Sequence, residues 1–63
     1  MINTDLIKNI RLGMGKTPYQ FASYLGMDQK TYEAIEKGES VTLNSLNKVA
    51  EKFNLPLSSL IKD

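Results

Sequence analysis

Apolar residues recur along this chain at intervals of three and four positions, which is the spacing of one face of an α-helix. Ile7 and Ile10 belong to the first such stripe, and Leu43 and Leu46 begin a later one that is expected to face inward. The only alternating segment, residues 41–43, is too short to predict a strand. The pattern therefore predicts five helices, at about residues 4–12 or 4–14, 18–25, 29–37, 43–53 and 55–61.

The middle of the chain, residues 17–38, reads as two short helices joined by a tight turn. Thr17 is a good N-cap for the first of them, and Gln20 is placed to bond back to that cap. Gly26 can adopt the left-handed conformation that ends the helix, after which Asp28 can cap the next one. The remaining helices are expected to support this corner.

The other helix ends carry similar signals. Asn3 or Thr4 can cap the first helix, and Thr42 can cap the fourth. Pro18 suits the first position of a helix, where its missing N–H costs nothing. Asn54 tolerates the left-handed conformation and is expected to end the fourth helix.

The predicted core collects the apolar residues that these stripes turn inward. They are Ile7, Ile10, Phe21, Ala22, Leu25, Tyr32, Ile35, Leu46, Val49, Ala50, Phe53, Leu55 and Leu60. Sixty-three residues predict one domain, 1–63, and a chain of this size buries only about 60% of the surface that its unfolded form exposes. Because the sequence has no cysteine and no histidine, helix packing alone has to stabilise it.

Charge and composition limit the classes of function that this chain can have. Eight basic and seven acidic residues give a net charge of +1, which is small for a protein that binds nucleic acid. Affinity for DNA depends more on how these charges are distributed over the surface than on their sum. The sequence has neither a run of about 18 apolar residues nor a signal-peptide pattern, so we expect a soluble cytoplasmic protein with no membrane partner.

An enzymatic function has little support in the sequence. Glu33 and Glu36 lie three residues apart on a helix beside lysines, which is typical of a solvated face. A base with a pKa near neutrality and an activated nucleophile are both missing. We therefore predict no catalytic residue, no metal site and no cofactor.

The corner resembles the helix-turn-helix of the Cro/C1-type repressors, the XRE family. It has a small residue in the first helix at Ala22, glycine in the turn at Gly26, and an I-E-x-G motif at residues 35–38. The resemblance continues on both flanks and covers nearly the whole chain. It implies an all-α, compact five-helix lambda-repressor-like DNA-binding domain, with the helix-turn-helix proper at residues 17–38.

The resemblance implies a transcriptional repressor that binds a palindromic operator in double-stranded DNA as a dimer, with helix 3 in the major groove. The residues that it places at base edges are Asp28, Gln29, Lys30, Glu33 and Ala34. Gln29 and Lys30 are the best candidates, since Gln can bond adenine and Lys can reach guanine. Glu33 can instead pair with Lys37 along the helix. Candidates for phosphate contacts are Lys16, Lys37, Ser40, Thr42 and Asn44.

Two further features concern structure and assembly. The family commonly pairs an Arg of helix 1 with the Glu of the I-E-x-G motif, which here implies an ion pair between Arg11 and Glu36; the alternative is that each is simply solvated. A weak homodimer is expected to form through the C-terminal end, which has more apolar groups than one short helix can bury. These groups are Leu55, Leu57, Leu60 and Ile61.

A second interpretation gives the same fold to a protein-interaction module, such as an antitoxin, an anti-repressor or the docking domain of an inhibitor. The nearly neutral charge and the exposed-looking Tyr19 and Tyr24 favour it. Pro18 stands where these repressors often carry a phosphate-anchoring Gln, and Glu39 adds an acid after helix 3. Under either interpretation we expect the bacterial cytoplasm or nucleoid, or the host cytoplasm for a phage protein.

Overall fold

A computed structural model describes residues 2–39 and 41–61 as four α-helices followed by a short 3₁₀ helix. Their bounds are α1 Thr4–Gly13, α2 Pro18–Leu25, α3 Gln29–Glu36, α4 Leu43–Lys52 and the 3₁₀ helix Leu57–Leu60. The all-α prediction is confirmed, and the fifth element is a 3₁₀ turn rather than an α-helix. It is only four residues long, between Pro56 and an extended Ile61, and the 3₁₀ geometry suits such short pieces.

Three of the predicted N-caps form. The Asn3 side chain accepts a backbone N–H from the first turn of α1. Thr17 and Gln20 form a reciprocal capping box, with the two bonds at 3.2 and 3.0 Å. The Thr42 hydroxyl oxygen accepts from the backbone N–H of Ser45 at 3.2 Å. Each such cap stabilises its helix by about 1 kcal/mol, so these helix starts are fixed locally.

The turns between helices use left-handed residues where the sequence predicted them. Gly26, with φ of 76°, ends α2, and Asn54, with φ of 54°, follows α4. Asp28 lies at the N-cap position of α3, but its side chain makes no capping hydrogen bond. The prediction for Asp28 is therefore correct for the backbone and wrong for the carboxylate, which stays exposed.

The core forms where the four helices and the 3₁₀ helix meet. The buried apolar residues are Ile7, Phe21, Ala22, Leu25, Tyr32, Ile35, Leu46, Val49, Ala50 and Leu60. Ile10, Phe53 and Leu55 were also predicted there, but they are only partly buried and pack against the core from its margin. Phe53 and Leu55 lie where α4 ends and the chain leaves the core, which exposes part of each side chain.

The two ends of the described chain are joined by backbone hydrogen bonding. Ile2 and Ile61 form an isolated antiparallel bridge, and the Asn3 N–H donates to the carbonyl of Leu60 at 2.8 Å. The hydrophobic pattern contains no signal for so short a pairing. The bridge lies next to Leu60, which is completely buried.

Candidate nucleic-acid interface

The corner between α2 and α3 positions the candidate interface. Tyr32 and Ile35 are fully buried, so this side of α3 is committed to the core. Gln29 and Lys30 on its first turn are exposed, as is Lys37 just after the helix. Residues Glu33 and Ala34 are half-buried between these two sides. The outward surface of α3 thus begins at its N-terminal turn, which is the end that reads bases in a helix-turn-helix.

A hydrogen bond along the outer face links two of the predicted base-contacting residues. The Gln29 amide donates to the Glu33 carboxylate at 3.2 Å, and both groups are solvent accessible. Within residues 2–39 and 41–61 the only salt bridge joins Arg11 and Glu36, so Glu33 is not paired with Lys37. Because the Gln29 bond is exposed, water or a base edge can replace it at little cost.

One groove, which we name the α3–α4 groove, brings the start of α3 together with the start of α4. It is lined by Asp28, Lys30, Thr31, Ala34, Val41, Thr42 and Ser45. Three candidates for base contacts therefore lie in one groove with one candidate for a phosphate contact. The Thr42 hydroxyl already caps α4 and donates to the Ser45 hydroxyl at 3.1 Å, so it has a structural role. The sequence predicted this structural role, because Thr42 precedes the fourth helix and can act as its N-cap.

The remaining phosphate candidates are spread over the surface. Lys37 and Asn44 are exposed. Lys16 is partly buried, and its ammonium lies 5.2 Å from the centre of the Tyr24 ring. Ser40 lies outside the described residues. The structure therefore does not gather all five candidates into one patch.

A polar network ties α3 to α1 on the opposite, inner side of the helix. Arg11 Nε donates to Glu36 Oε2 at 2.5 Å, and Arg11 Nη2 lies 3.4 Å from Glu36 Oε1. Arg11 Nη1 also donates to the carbonyl of Lys16 at 2.9 Å. The Tyr32 hydroxyl donates to the same Glu36 carboxylate. The structure thus brings the predicted pair together and adds Tyr32, which the spacing of four residues from Glu36 could have indicated.

Burial and hydrogen bonding determine the pKa values of the three groups in this network. The side chains of Arg11 and Glu36 are only 10% and 16% exposed. Burial raises the pKa of the Glu36 carboxyl, but hydrogen bonds from Arg11 and Tyr32 outweigh burial, so its pKa lies below the usual value. The hydrogen bond to Glu36 raises the pKa of Arg11. Burial and the bond to Glu36 raise the pKa of the Tyr32 phenol, which stays neutral and donates.

The apolar surface near the C-terminal end differs from the sequence-based expectation. Leu60 is buried inside the core and does not contribute to an exposed face, and Leu55 and Leu57 are half-buried against that core. Leu43, predicted to face inward, is 66% exposed because it lies at the first position of α4, beyond the core. Together with the exposed Ile61 it lines a groove that the sequence analysis missed.

Across residues 2–39 and 41–61, no group of three or more acidic, cysteine or histidine side chains could hold a metal ion. In the same part of the chain, no helix is long and apolar enough to cross a membrane.

Comparison with protein families agrees with this geometry. A helix-turn-helix family model matches residues 7–60, which include the α2–α3 corner and both flanks. Searches of curated proteins and of solved structures found no match. Proteins of this family are DNA-binding regulators, not enzymes. The chain belongs to the Cro/C1-type helix-turn-helix family, the XRE family, and is a DNA-binding regulator of that type.

Proposed function

We propose that this regulator is a repressor that binds a palindromic operator as a dimer, with α3 in the major groove. The observation that carries the proposal is the division of α3 into two sides. Tyr32 and Ile35 are buried and Glu36 is tied to Arg11, while Gln29 and Lys30 project from the first turn. A rigid helix with a free polar N-terminal turn is what major-groove reading requires.

Gln29 and Lys30 are the proposed base readers. A glutamine amide can donate to N7 and accept from N6 of adenine, and a lysine ammonium can reach O6 and N7 of guanine. Glu33 accepts from Gln29 in the free protein and could orient the amide before contact with a base. Asp28 and Ala34, which share the groove with Lys30, are the secondary candidates.

Phosphate contacts are assigned to Lys16, Lys37, Asn44 and Thr42, with Ser40 as a further candidate from the sequence alone. A net charge of +1 predicts weak binding to random DNA, since non-specific affinity grows with the number of phosphates neutralised. Discrimination by base contacts therefore has to supply much of the operator affinity.

A dimer on two half-sites is the proposed assembly. Half-sites in such operators are about 34 Å apart, one turn of DNA. The Cα atoms of one copy span 27 × 20 × 18 Å, so two copies fit side by side at that spacing. Leu43 and Ile61 line a groove that shares Val41 with the α3–α4 groove. We assign this groove to the dimer interface. The half-buried Leu55 and Leu57 are further candidates for the same interface.

Binding to duplex DNA across a salt series tests the proposal. The DNA flanking the protein's own gene serves as the operator source, and a random duplex serves as the reference. Gln29→Ala should lose about 1–3 kcal/mol of discrimination at one base pair of each half-site. Lys16→Ala should weaken all duplexes alike and lower the salt slope by about one.

Asn47→Ala is the matched control, because Asn47 donates its amide to Glu51 on α4 much as Gln29 donates to Glu33. It should bind every duplex as the parent does. Operator binding that is unchanged in both Gln29→Ala and Lys16→Ala would exclude α3 as the reading helix. Absence of salt-dependent duplex binding by the parent would favour a protein-interaction module instead.

A further inference from the structure

A second surface of the molecule combines exposed aromatic groups with positive charge. It is a groove beside α2, lined by Met14, Lys16, Tyr19, Ser23 and Tyr24 among others, and we name it the tyrosine groove. Tyr19 is 65% exposed, and Tyr24 and Met14 are also solvent accessible. The groove shares no lining residue with the α3–α4 groove.

The ring of Tyr24 in this groove packs against two other aromatic rings. These are the rings of Phe21 and Phe53, with centres 6.3 and 6.1 Å away. Phe21 is in turn fully buried. An aromatic group that is anchored in the core and exposed on one side loses little conformational freedom when a partner covers it, which favours binding.

Two cations converge on the same ring. The ammonium of Lys16 lies 5.2 Å and that of Lys52 lies 4.4 Å from the centre of the Tyr24 ring. The negative face of an aromatic ring attracts such cations. Across residues 2–39 and 41–61 neither lysine forms a salt bridge, and none of the described residues that line the groove is acidic. The two positive charges repel each other, and an anionic group bound near them would relieve that repulsion.

We propose that the tyrosine groove binds an acidic segment of a second protein, with carboxylates near Lys16 and Lys52 and an apolar side chain against Tyr19 and Tyr24. Tyrosine is prominent among the residues that dominate binding energy at protein interfaces. A DNA phosphate can reach Lys16 at the edge of the groove, but a phosphate backbone offers nothing apolar to cover Tyr19 and Met14. A second copy also fits poorly, since a two-fold contact through this groove would bring lysines close to lysines.

Selection of displayed random peptides on the immobilised protein tests the proposal. Enriched peptides should combine Asp or Glu with a large apolar residue. Synthetic copies of them are then titrated against variants by fluorescence anisotropy. Tyr19→Ala and Lys52→Glu should each weaken binding by at least about tenfold, as expected for residues central to an interface. Tyr24 is left unchanged because its ring supports the core.

Leu12→Ala and Lys8→Glu are the matched controls, an exposed apolar residue and an exposed lysine that line neither the tyrosine groove nor the grooves assigned to DNA and to the dimer. They should bind the peptides as the parent does, with all variants folded by circular dichroism. Failure to enrich any acidic peptide, or equal weakening by the controls, would overturn the proposal. The proposal would also be overturned if Tyr19→Ala bound the peptides as the parent does but lost binding to random duplex or lost the dimer. Lys16 is shared with the proposed phosphate contacts, so the test uses Tyr19 and Lys52, which the repressor proposal does not use. Failure of the peptide test and failure of the operator test are therefore distinguishable.

Discussion

Helix α3 carries two side-chain contacts of the same spacing in opposite environments. On its inner side Tyr32 donates to Glu36, beside Arg11, where the tyrosine is fully buried. On its outer side Gln29 donates to Glu33 in contact with solvent. Loss of a buried partner leaves a polar group without water, whereas loss of an exposed one does not. The inner contact therefore concerns the stability of the fold, and the outer contact is available for recognition.

The largest loss in the free energy of unfolding should follow from removing the positive charge of Arg11 from the inner contact. Arg11→Met leaves a mostly buried Glu36 carboxylate unpaired, at a cost of about 3–5 kcal/mol. A chain of this length has a free energy of unfolding of roughly 3–9 kcal/mol. We therefore expect Arg11→Met to lose much of its cooperative thermal transition, measured by circular dichroism.

The double variant Arg11→Met with Glu36→Gln is the control for this prediction. The Gln amide oxygen can still accept from Tyr32, and no unpaired charge is left. The double variant should recover at least about 1 kcal/mol relative to the sum of the single changes. Strictly additive costs would show that Arg11 and Glu36 are not coupled.

A smaller effect is expected in acid. The pKa of Glu36 lies below its ordinary value of 4.5, so its contribution to stability is complete above that value and is lost as the pH falls through the folded-state pKa. Tyr32→Phe removes one of the bonds that lower this pKa, so its acid loss should be smaller than that of the parent and should be complete at a higher pH. Free energies of unfolding in urea between about pH 2 and pH 6 measure both effects.

Glu36→Gln isolates this contribution from that of the other carboxyl groups. Its free energy of unfolding should vary less with pH than that of the parent. Identical pH profiles for the parent and Glu36→Gln would contradict the assignment of the acid sensitivity to Glu36.

The smallest effect should come from the outer contact. Gln29→Ala should change the free energy of unfolding by only tenths of a kcal/mol, roughly the difference in helix propensity between the two residues. Asn47→Ala, which breaks the corresponding exposed bond on α4, should do the same. Urea midpoints compare the two variants. A loss of more than about 1 kcal/mol in Gln29→Ala alone would mean that the outer face also supports the fold.

Local chemistry explains which features of the fold could be predicted. The capping box of Thr17 and Gln20 and the left-handed Gly26 depend on residues at most three apart, so the sequence contains the whole signal. The exposure of Leu43 could not be predicted, because the stripe that it shares with Leu46 gives no information on where the core ends. The burial of Leu60 depends in the same way on distant packing.

In the candidate site, too, short-range contacts could be predicted from the sequence and long-range contacts could not. The Tyr32–Glu36 bond spans four residues and was accessible from the helical period alone. Arg11 and Glu36 are 25 residues apart, and only the family resemblance predicted their pairing. The position of Lys16 against Tyr24 had no sequence signal, since it depends on how the loop before α2 lies against the end of that helix.

The bridge between Ile2 and Ile61 has a consequence for hydrogen exchange. It joins residues from opposite ends of the described chain, whereas the α2–α3 corner is closed by short-range bonds such as Met27 N–H to the carbonyl of Ala22. A contact at the chain ends can open without disturbing the buried helices, so the Asn3 amide should exchange through local opening. Amides of the buried side of α3 should exchange only when the whole domain unfolds.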